Sequence, residues 1–388
     1  MGKHIVVVGC SAPSHVYPSL GIVRELVRRG HRVSYVVGEP LAELVEPTGA
    51  DVVAHPTIFP LGPDAEWPED PAEAMRVFLD EAVAIHPRLI ETFDQDRPDL
   101  LLYDIGGLGA PLLGLRYGVP AVQLSPTYVA WDGYEEELAE VLKPIRTSPS
   151  GMDYDRTFTE WLTEHGVTED AWTWLARPVP ILSLIPRAMQ PNADRVPEDR
   201  VQFVGPCLDP ARAAEHWTPP SDGKPVLLVS FGTAYNDQLD VYRHCITEFG
   251  DWHVVLSIGK HVSKDDLGPL PESVEVHETV PQLAILDVAS AFVTHAGMGG
   301  CTESLWYGVP TVAIPQAVDQ FGNAAQLEAL GVGKHLPADQ VTAKSLRAAV
   351  DEVSSSPDVA ARLAELRAEI RANGGITAAA DAVEKFLK

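Results

Sequence analysis

The stretch THAGMGGCTESLWYGVPTVAIPQAVDQFGNA, residues 294–324, decides the fold. It begins at the end of an apolar run, AFVTHAG (291–297), and passes through a turn of small residues. A helical pattern then starts near Gly300, and a second apolar run follows, VPTVAIP (309–315). Near-continuous apolar strands separated by helices imply a parallel sheet covered on both faces. In the turn, Gly297, Gly299 and Gly300 let a ligand approach the backbone closely. The helix start behind them offers free N–H groups and the positive end of its dipole to a phosphate. His295 can donate to the same phosphate, and Glu303, one turn into the helix, can accept from ribose hydroxyls. Asp319 and Gln320 follow the next strand end and can hydrogen-bond a sugar. Glycines at a strand–helix turn about as often only relieve packing. The sharper rival, a G-x-G-x-x-G dinucleotide fingerprint, occurs neither here nor after the first strand, which continues GCSAPS, and there is no Walker A motif.

The same alternation extends outward. Upstream lie VLLVSFG (226–232), HVVLSIG (253–259) and VEVH (274–277), and downstream VGKHL (332–336). Residues 342–388 read as two or three amphipathic helices. The first half carries its own series: HIVVV (4–8), a helical spacing at Leu20, Val23 and Val27, VSYVV (33–37), LLLY (100–103) and VPAVQL (119–124). Irregular segments rich in Pro and aromatics interrupt it at 56–72 and 126–175. A proline-rich stretch without periodicity, beginning GPCLDPARAAEHW, separates the halves. The expected organisation is an N-terminal domain over 1–205, a linker over 206–224, a C-terminal domain over 225–370 and a final helix over 371–388. Ligands of open α/β sheets bind at the carboxyl ends of the strands, so the functional residues belong in loops just after strands.

With 388 residues the chain is long enough for two cores. Against 29 basic residues stand 55 acidic ones, a net charge of −26. Such a surface repels nucleic acid and anionic membrane, so a bound phosphate must be held by local devices. No window approaches the roughly 18 apolar residues of a membrane span, and no secretory signal is evident. Cys10, Cys207, Cys245 and Cys301 are scattered, and read as free thiols of a reducing compartment rather than a disulfide framework or zinc site. The expectation is a cytoplasmic protein.

The pattern H-x-G-(x)5-E, then G-V-P, then P, then D-Q-x-x-N-A resembles the nucleotide-sugar signature of family-one glycosyltransferases, and V-P-Q at 280–282 matches its uracil-binding part. LSP..VAW.GYEEE (124–137), LIPRAMQPNADRV (184–196) and AVDQFGNA (317–324) are similar to bacterial macrolide glycosyltransferases of the oleandomycin type. The likeness spans essentially the whole chain. It implies the GT-B fold, two doubly wound Rossmann-like domains facing a central cleft, with acceptor in the N-terminal half, donor in the C-terminal half and the last helix packing back on the N-terminal domain. It implies contacts from Val280 and Gln282 to the base, from Glu303 to the ribose, from His295, Gly299 and Gly300 to the pyrophosphate and from Asp319 and Gln320 to the hexose. Ser230 and Thr233 would assist at the phosphates.

In the first half, His15 lies in the loop after strand one, with Pro18 set to open a helix, and Asp104 ends the strand LLLYD. A lone histidine is more often structural. A His that accepts a hydroxyl proton while an Asp orients it and offsets the imidazolium charge is, however, a general base, and the resemblance assigns that work to these two positions. Trp67, Phe78, Tyr128 and Trp131 are candidate acceptor contacts, although the tryptophans at 131, 161, 172 and 174 fit a core equally well. The triplets Asp94-Gln95-Asp96 and Asp153-Tyr154-Asp155 resemble metal-chelating D-x-D motifs, but neither follows an apolar strand, and a solvated surface suits them better. Glu135, Glu136 and Glu137 read as an exposed helical face. Cys301, at a helix start, has either a lowered pKa or a filling role in the turn.

The expected activity is inverting, metal-independent O-glycosyl transfer, without a cofactor, from UDP-glucose as co-substrate to a hydrophobic natural product such as a macrolide. A dTDP-deoxysugar donor is the alternative. A UDP-sugar 2-epimerase of the same build and a non-catalytic nucleotide-binding partner are the readings from other classes.

Overall fold

A computed structural model describes residues 2–61, 67–221, 223–233 and 236–387. Residues 62–66 of the irregular stretch 56–72, and Asp222 of the proline-rich stretch, lie outside the described residues. The chain divides into two compact units. One comprises Met1–Leu184, Asn192–Cys207 and Ile376–Lys388, the other Ile185–Pro191 and Leu208–Gly375.

The first unit holds seven strands: β1 (His4–Val8), β2 (Arg32–Gly38), β3 (Asp51–His55), β4 (Leu100–Asp104), β5 (Ala121–Ser125), β6 (Ile181–Ser183) and β7 (Val201–Phe203). They are ordered β3-β2-β1-β4-β5-β6-β7, and every pairing is parallel. Every residue of β1 and β4 is buried, which is why both show as unbroken apolar runs in the sequence. The second unit holds β8 (Val226–Ser230), β9 (His253–Ser257), β10 (Val274–His277), β11 (Ala291–Thr294), β12 (Thr311–Ala313) and β13 (Gly333–His335), in the parallel order β10-β9-β8-β11-β12-β13. In each sheet the strand order reverses beside its first strand, between β1 and β4 and between β8 and β11. A doubly wound sheet opens its crevice at such a reversal, beyond the carboxyl ends of the strands.

Several expectations need correction. Pro18 does not open a helix. The helix runs Pro13–Arg28 with Pro13 at its start, and Pro18 falls inside it. The helix after β11 starts at Met298, two residues before Gly300. β3, β6 and β7 are absent from the sequence reading; β6 and β7 have three residues each, too few for a periodicity to register.

The unit boundaries also differ from the expected ones. Residues 185–191 belong to the second unit, where the Gln326 amide donates to the Ala188 carbonyl at 2.7 Å. The stretch 206–224 is not a free linker. Cys207 sits in the core of the first unit, while Trp217 packs against the second sheet and donates to Glu275 at 3.1 Å.

The tail forms three helices, Ala343–Ser355, Pro357–Ala372 and Gly375–Lys385. The last buries Ala379, Ala380, Ala382 and Val383 in the core of the first unit. Arg29 fastens it there through Asp381 at 2.7 Å and Glu384 at 3.0 Å. Among the described residues no helix is long and apolar enough to cross a membrane.

Candidate functional site

Because β1 and β4 are hydrogen-bonded neighbours, with Val8 opposite Tyr103, the segments that leave their carboxyl ends are neighbours too. That adjacency brings His15, in the first turn of the helix after β1, against Asp104, the last residue of β4. The imidazole Nδ1 lies 2.9 Å from both carboxylate oxygens. Asp104 is buried and its Oδ1 also accepts from the Gly106 N–H at 2.8 Å, which fixes the carboxylate plane. With Nδ1–H donating to the carboxylate, Nε2 keeps the lone pair a general base needs. The Cys10 thiol joins this group, with ligand atoms of Cys10, His15 and Asp104 all within 4.8 Å of one another. Burial, Asp104 and Glu81 push that thiol well up, so it stays protonated.

Aromatic rings adjoin the pair. Phe78 is 6.2 Å from the His15 ring and 5.7 Å from Trp67, and Phe59 meets both Phe78 at 5.1 Å and Trp67 at 5.8 Å. Tyr128 is half-buried. Trp131 packs on the small cluster of Val129, Val196 and Val201 and donates to Glu137 at 2.9 Å. Trp161 and Trp174 are core residues around Phe158, with Trp172 packed against them.

Three of the four triplet carboxylates are engaged by arginines, while Asp155 is half-buried, its pKa raised by burial and by Asp170. Asp94 pairs with Arg116 and Asp96 with Arg32, while Asp153 pairs with both Arg76 and Arg156. Glu135, Glu136 and Glu137 are exposed, as read from the sequence.

Glu81 is a buried carboxylate that the sequence did not single out. It accepts from the Ser11 hydroxyl, from the Thr57 hydroxyl at 2.5 Å and from the Ile58 N–H at 3.1 Å. It thereby ties the loop after β1 to the segment that carries Phe59. Glu81→Ala strands these donors and is expected to cost about 2–4 kcal/mol in urea unfolding, with a smaller loss for Glu81→Gln. Unchanged stability in the alanine variant would mean that the carboxylate holds nothing in place.

In the second unit β8 and β11 are neighbours, with Ser230 opposite Thr294. The turn 295–297 therefore lies beside the loop that carries exposed Thr233. Gly297 caps the ten-residue helix Met298–Tyr307, and among the described residues no side-chain cap satisfies the N–H groups of its first turn. Burial pushes His295 down to about 4, against the pull of a hydrogen bond to the Ser230 carbonyl, so at neutral pH the ring is uncharged and its one N–H is turned to that carbonyl.

The glycines divide by what surrounds them. A Cβ on Gly297 would sit 2.5 Å from His295 Nε2, and one on Gly232, whose φ is +71°, would sit 2.8 Å from the same ring. Both make room for the imidazole. A Cβ on Gly299 would meet nothing within 4 Å, and one on Gly300 only ordinary contacts. Cys301 is fully buried and its thiol is pushed up, so it fills the turn.

Gln282 opens the short helix after Val280, and its amide donates to Glu303 Oε2 at 2.6 Å. Glu303 Oε1 accepts from Arg212 at 2.9 Å. Val280, Gln282 and Glu303 therefore come together, joined by an arginine that sequence reasoning missed. Asp319 is exposed, and its Oδ2 accepts from Asn323 at 2.9 Å. Gln320 is buried, and its Oε1 accepts from the N–H groups of Gln316 and Ala317, so it braces the loop and keeps only its NH2 for a ligand. Asn323 also donates to the carbonyl of Ala296, a residue held at φ +61°. It fixes the phosphate-side turn. Its signal in the sequence was its place four residues after Asp319, one helical turn on.

Comparison with known proteins adds an independent finding. Residues 246–385 match the family model of the erythromycin biosynthesis protein CIII-like C-terminal domain. The oleandomycin glycosyltransferase of Streptomyces antibioticus is 45% identical, over 99% of this chain and 91% of its own. The demethyllactenocin mycarosyltransferase of Streptomyces fradiae is 32% identical, over 99% and 86%. A solved structure, the glycotransferase of kitacinnamycin, superposes with a TM-score of 0.92 at 42% identity, covering 100% of this chain and 99% of that one.

Proposed function

The chain belongs to the macrolide-type antibiotic glycosyltransferases of GT-B fold, and from that premise we propose that it moves glucose from UDP-glucose to a hydroxyl of a hydrophobic natural product such as a macrolide. The observation that carries the chemistry is the His15–Asp104 pair, 2.9 Å apart at the strand-order reversal of the first sheet.

The acceptor hydroxyl attacks the anomeric carbon as its proton passes to His15 Nε2. The new carbon–oxygen bond forms while the bond to the UDP oxygen breaks, and UDP departs with the electron pair. Asp104 fixes the ring and offsets the imidazolium charge. The charge growing on the diphosphate falls to the N–H groups at the start of helix Met298–Tyr307. In this reading these donors take the place that a metal ion has in other transferases. A single displacement inverts configuration, so an α-linked donor gives a β-glycoside. The aromatic rings beside His15 present an apolar wall suited to a polyketide or macrolide skeleton.

The second reading, a dTDP-deoxysugar donor, is favoured by the mycarosyl group in the name of the Streptomyces fradiae relative. The deciding experiment is mass spectrometry of the protein with UDP-glucose or dTDP-glucose, EDTA and a panel of macrolides and phenols. A hexose mass gain with UDP-glucose that persists in EDTA supports the first reading. Gain with the dTDP donor alone supports the second, and no transfer to any acceptor contradicts both.

A further inference from the structure

Arg212 lies in the stretch between the two alternating series, which carried no expected site residue. Its short helix, Pro210–Ala213, starts at Pro210 and is capped by Asp209, which accepts from the Ala211 N–H at 3.1 Å. From there the guanidinium reaches Glu303 Oε1 at 2.9 Å, while Gln282 holds Oε2 at 2.6 Å. The Glu303 side chain is 7% exposed and that of Arg212 21%.

A carboxylate so deeply buried is stable in its charged form only if paired. Gln282 is neutral and supplies one hydrogen bond, so Arg212 supplies the charge. An ionised carboxylate has about four lone-pair sites. Two are taken by these donors, which leaves one on each oxygen for a pair of neighbouring hydroxyls.

We propose that Arg212 is a positioning residue for nucleoside recognition. Its ion pair keeps Glu303 an ionised, fixed acceptor of the ribose 2′- and 3′-hydroxyls, so preference for a ribonucleotide over a 2′-deoxyribonucleotide depends on Arg212. The proposal rests on the function proposed above and on Glu303 meeting the ribose, the contact that the family resemblance implies.

The test is calorimetric titration of the full chain with UDP and with 2′-deoxy-UDP. The wild type is expected to bind UDP about tenfold or more tightly, the scale of a hydrogen bond to a charged group. Glu303→Gln abolishes the difference. Arg212→Met is expected to reduce it to about threefold or less, and Arg212→Lys restores part of it. Arg212→Gln, which keeps a donor but loses the charge, serves if the methionine variant does not fold, and is expected to lose the difference as well. If the wild type shows no difference tied to the 2′-hydroxyl, or if Glu303→Gln keeps it, the ribose assignment of Glu303 fails. If Glu303→Gln erases the difference while folded Arg212→Met and Arg212→Gln both keep it, the arginine is merely structural and the proposal is overturned.

Discussion

His15→Ala is expected to lower kcat by about 10²–10⁴-fold, the usual contribution of a positioned general base, while UDP affinity stays within about twofold. The split follows from placement, since His15 belongs to the first unit and the nucleotide-binding candidates to the second. Asp104→Asn should cost nearly as much, despite its similar shape. The Gly106 N–H donates to Oδ1 and would hold the amide oxygen there. The NH2 group would then replace Oδ2, 2.9 Å from His15 Nδ1. That donor competes with the retained oxygen, also 2.9 Å from Nδ1, and weakens the hold on the tautomer in which Nε2 accepts a proton. Initial rates with saturating UDP-glucose, together with UDP titration, test both variants. Wild-type turnover in His15→Ala would remove the base from the mechanism.

Gly299→Ala is expected to raise the donor KM at least tenfold without loss of thermal stability. The position faces open space, so the added methyl collides with nothing in the protein. Alanine inside a helix is in fact favoured over glycine by about 0.5–1 kcal/mol. Only a diphosphate held on the helix start would meet that methyl. Gly297→Ala is the counterpart. Its methyl would press on His295 Nε2, so donor binding and local order should fall together. If Gly299→Ala binds UDP like the wild type, the diphosphate does not sit on this helix.

The strands around each site were legible because they are buried along their whole length, so β1, β4, β8 and β11 read as unbroken apolar runs. Asp104 and His295 stand at or just after such strand ends, whereas His15 and Glu303 lie in the helices that follow and were singled out by the family resemblance. What stayed hidden were partners from distant parts of the chain. Glu81 lies inside a 23-residue helix, where one carboxylate among 55 acidic residues carries no signal. Arg212 lies in proline-rich sequence without a period, and only the folded chain brings it to Glu303, 91 residues on. Gln320 was legible as a polar residue after a strand, but the turning of its carbonyl toward the backbone of Gln316 and Ala317 depends on loop geometry.

The return of residues 376–387 to the first unit sets a timetable for biosynthesis. A ribosome delivers β1 to β7 by residue 203, yet the core they build still lacks Ala379, Ala380, Ala382 and Val383. Until then the groove along helix Pro13–Arg28, where Ile376 sits against Gly21, stays uncovered. The second unit needs nothing beyond Gly375, so all of its residues are synthesised before the first unit has its last helix. The half made first is therefore finished last, and its longest-range contacts, spanning some 350 residues, close the fold.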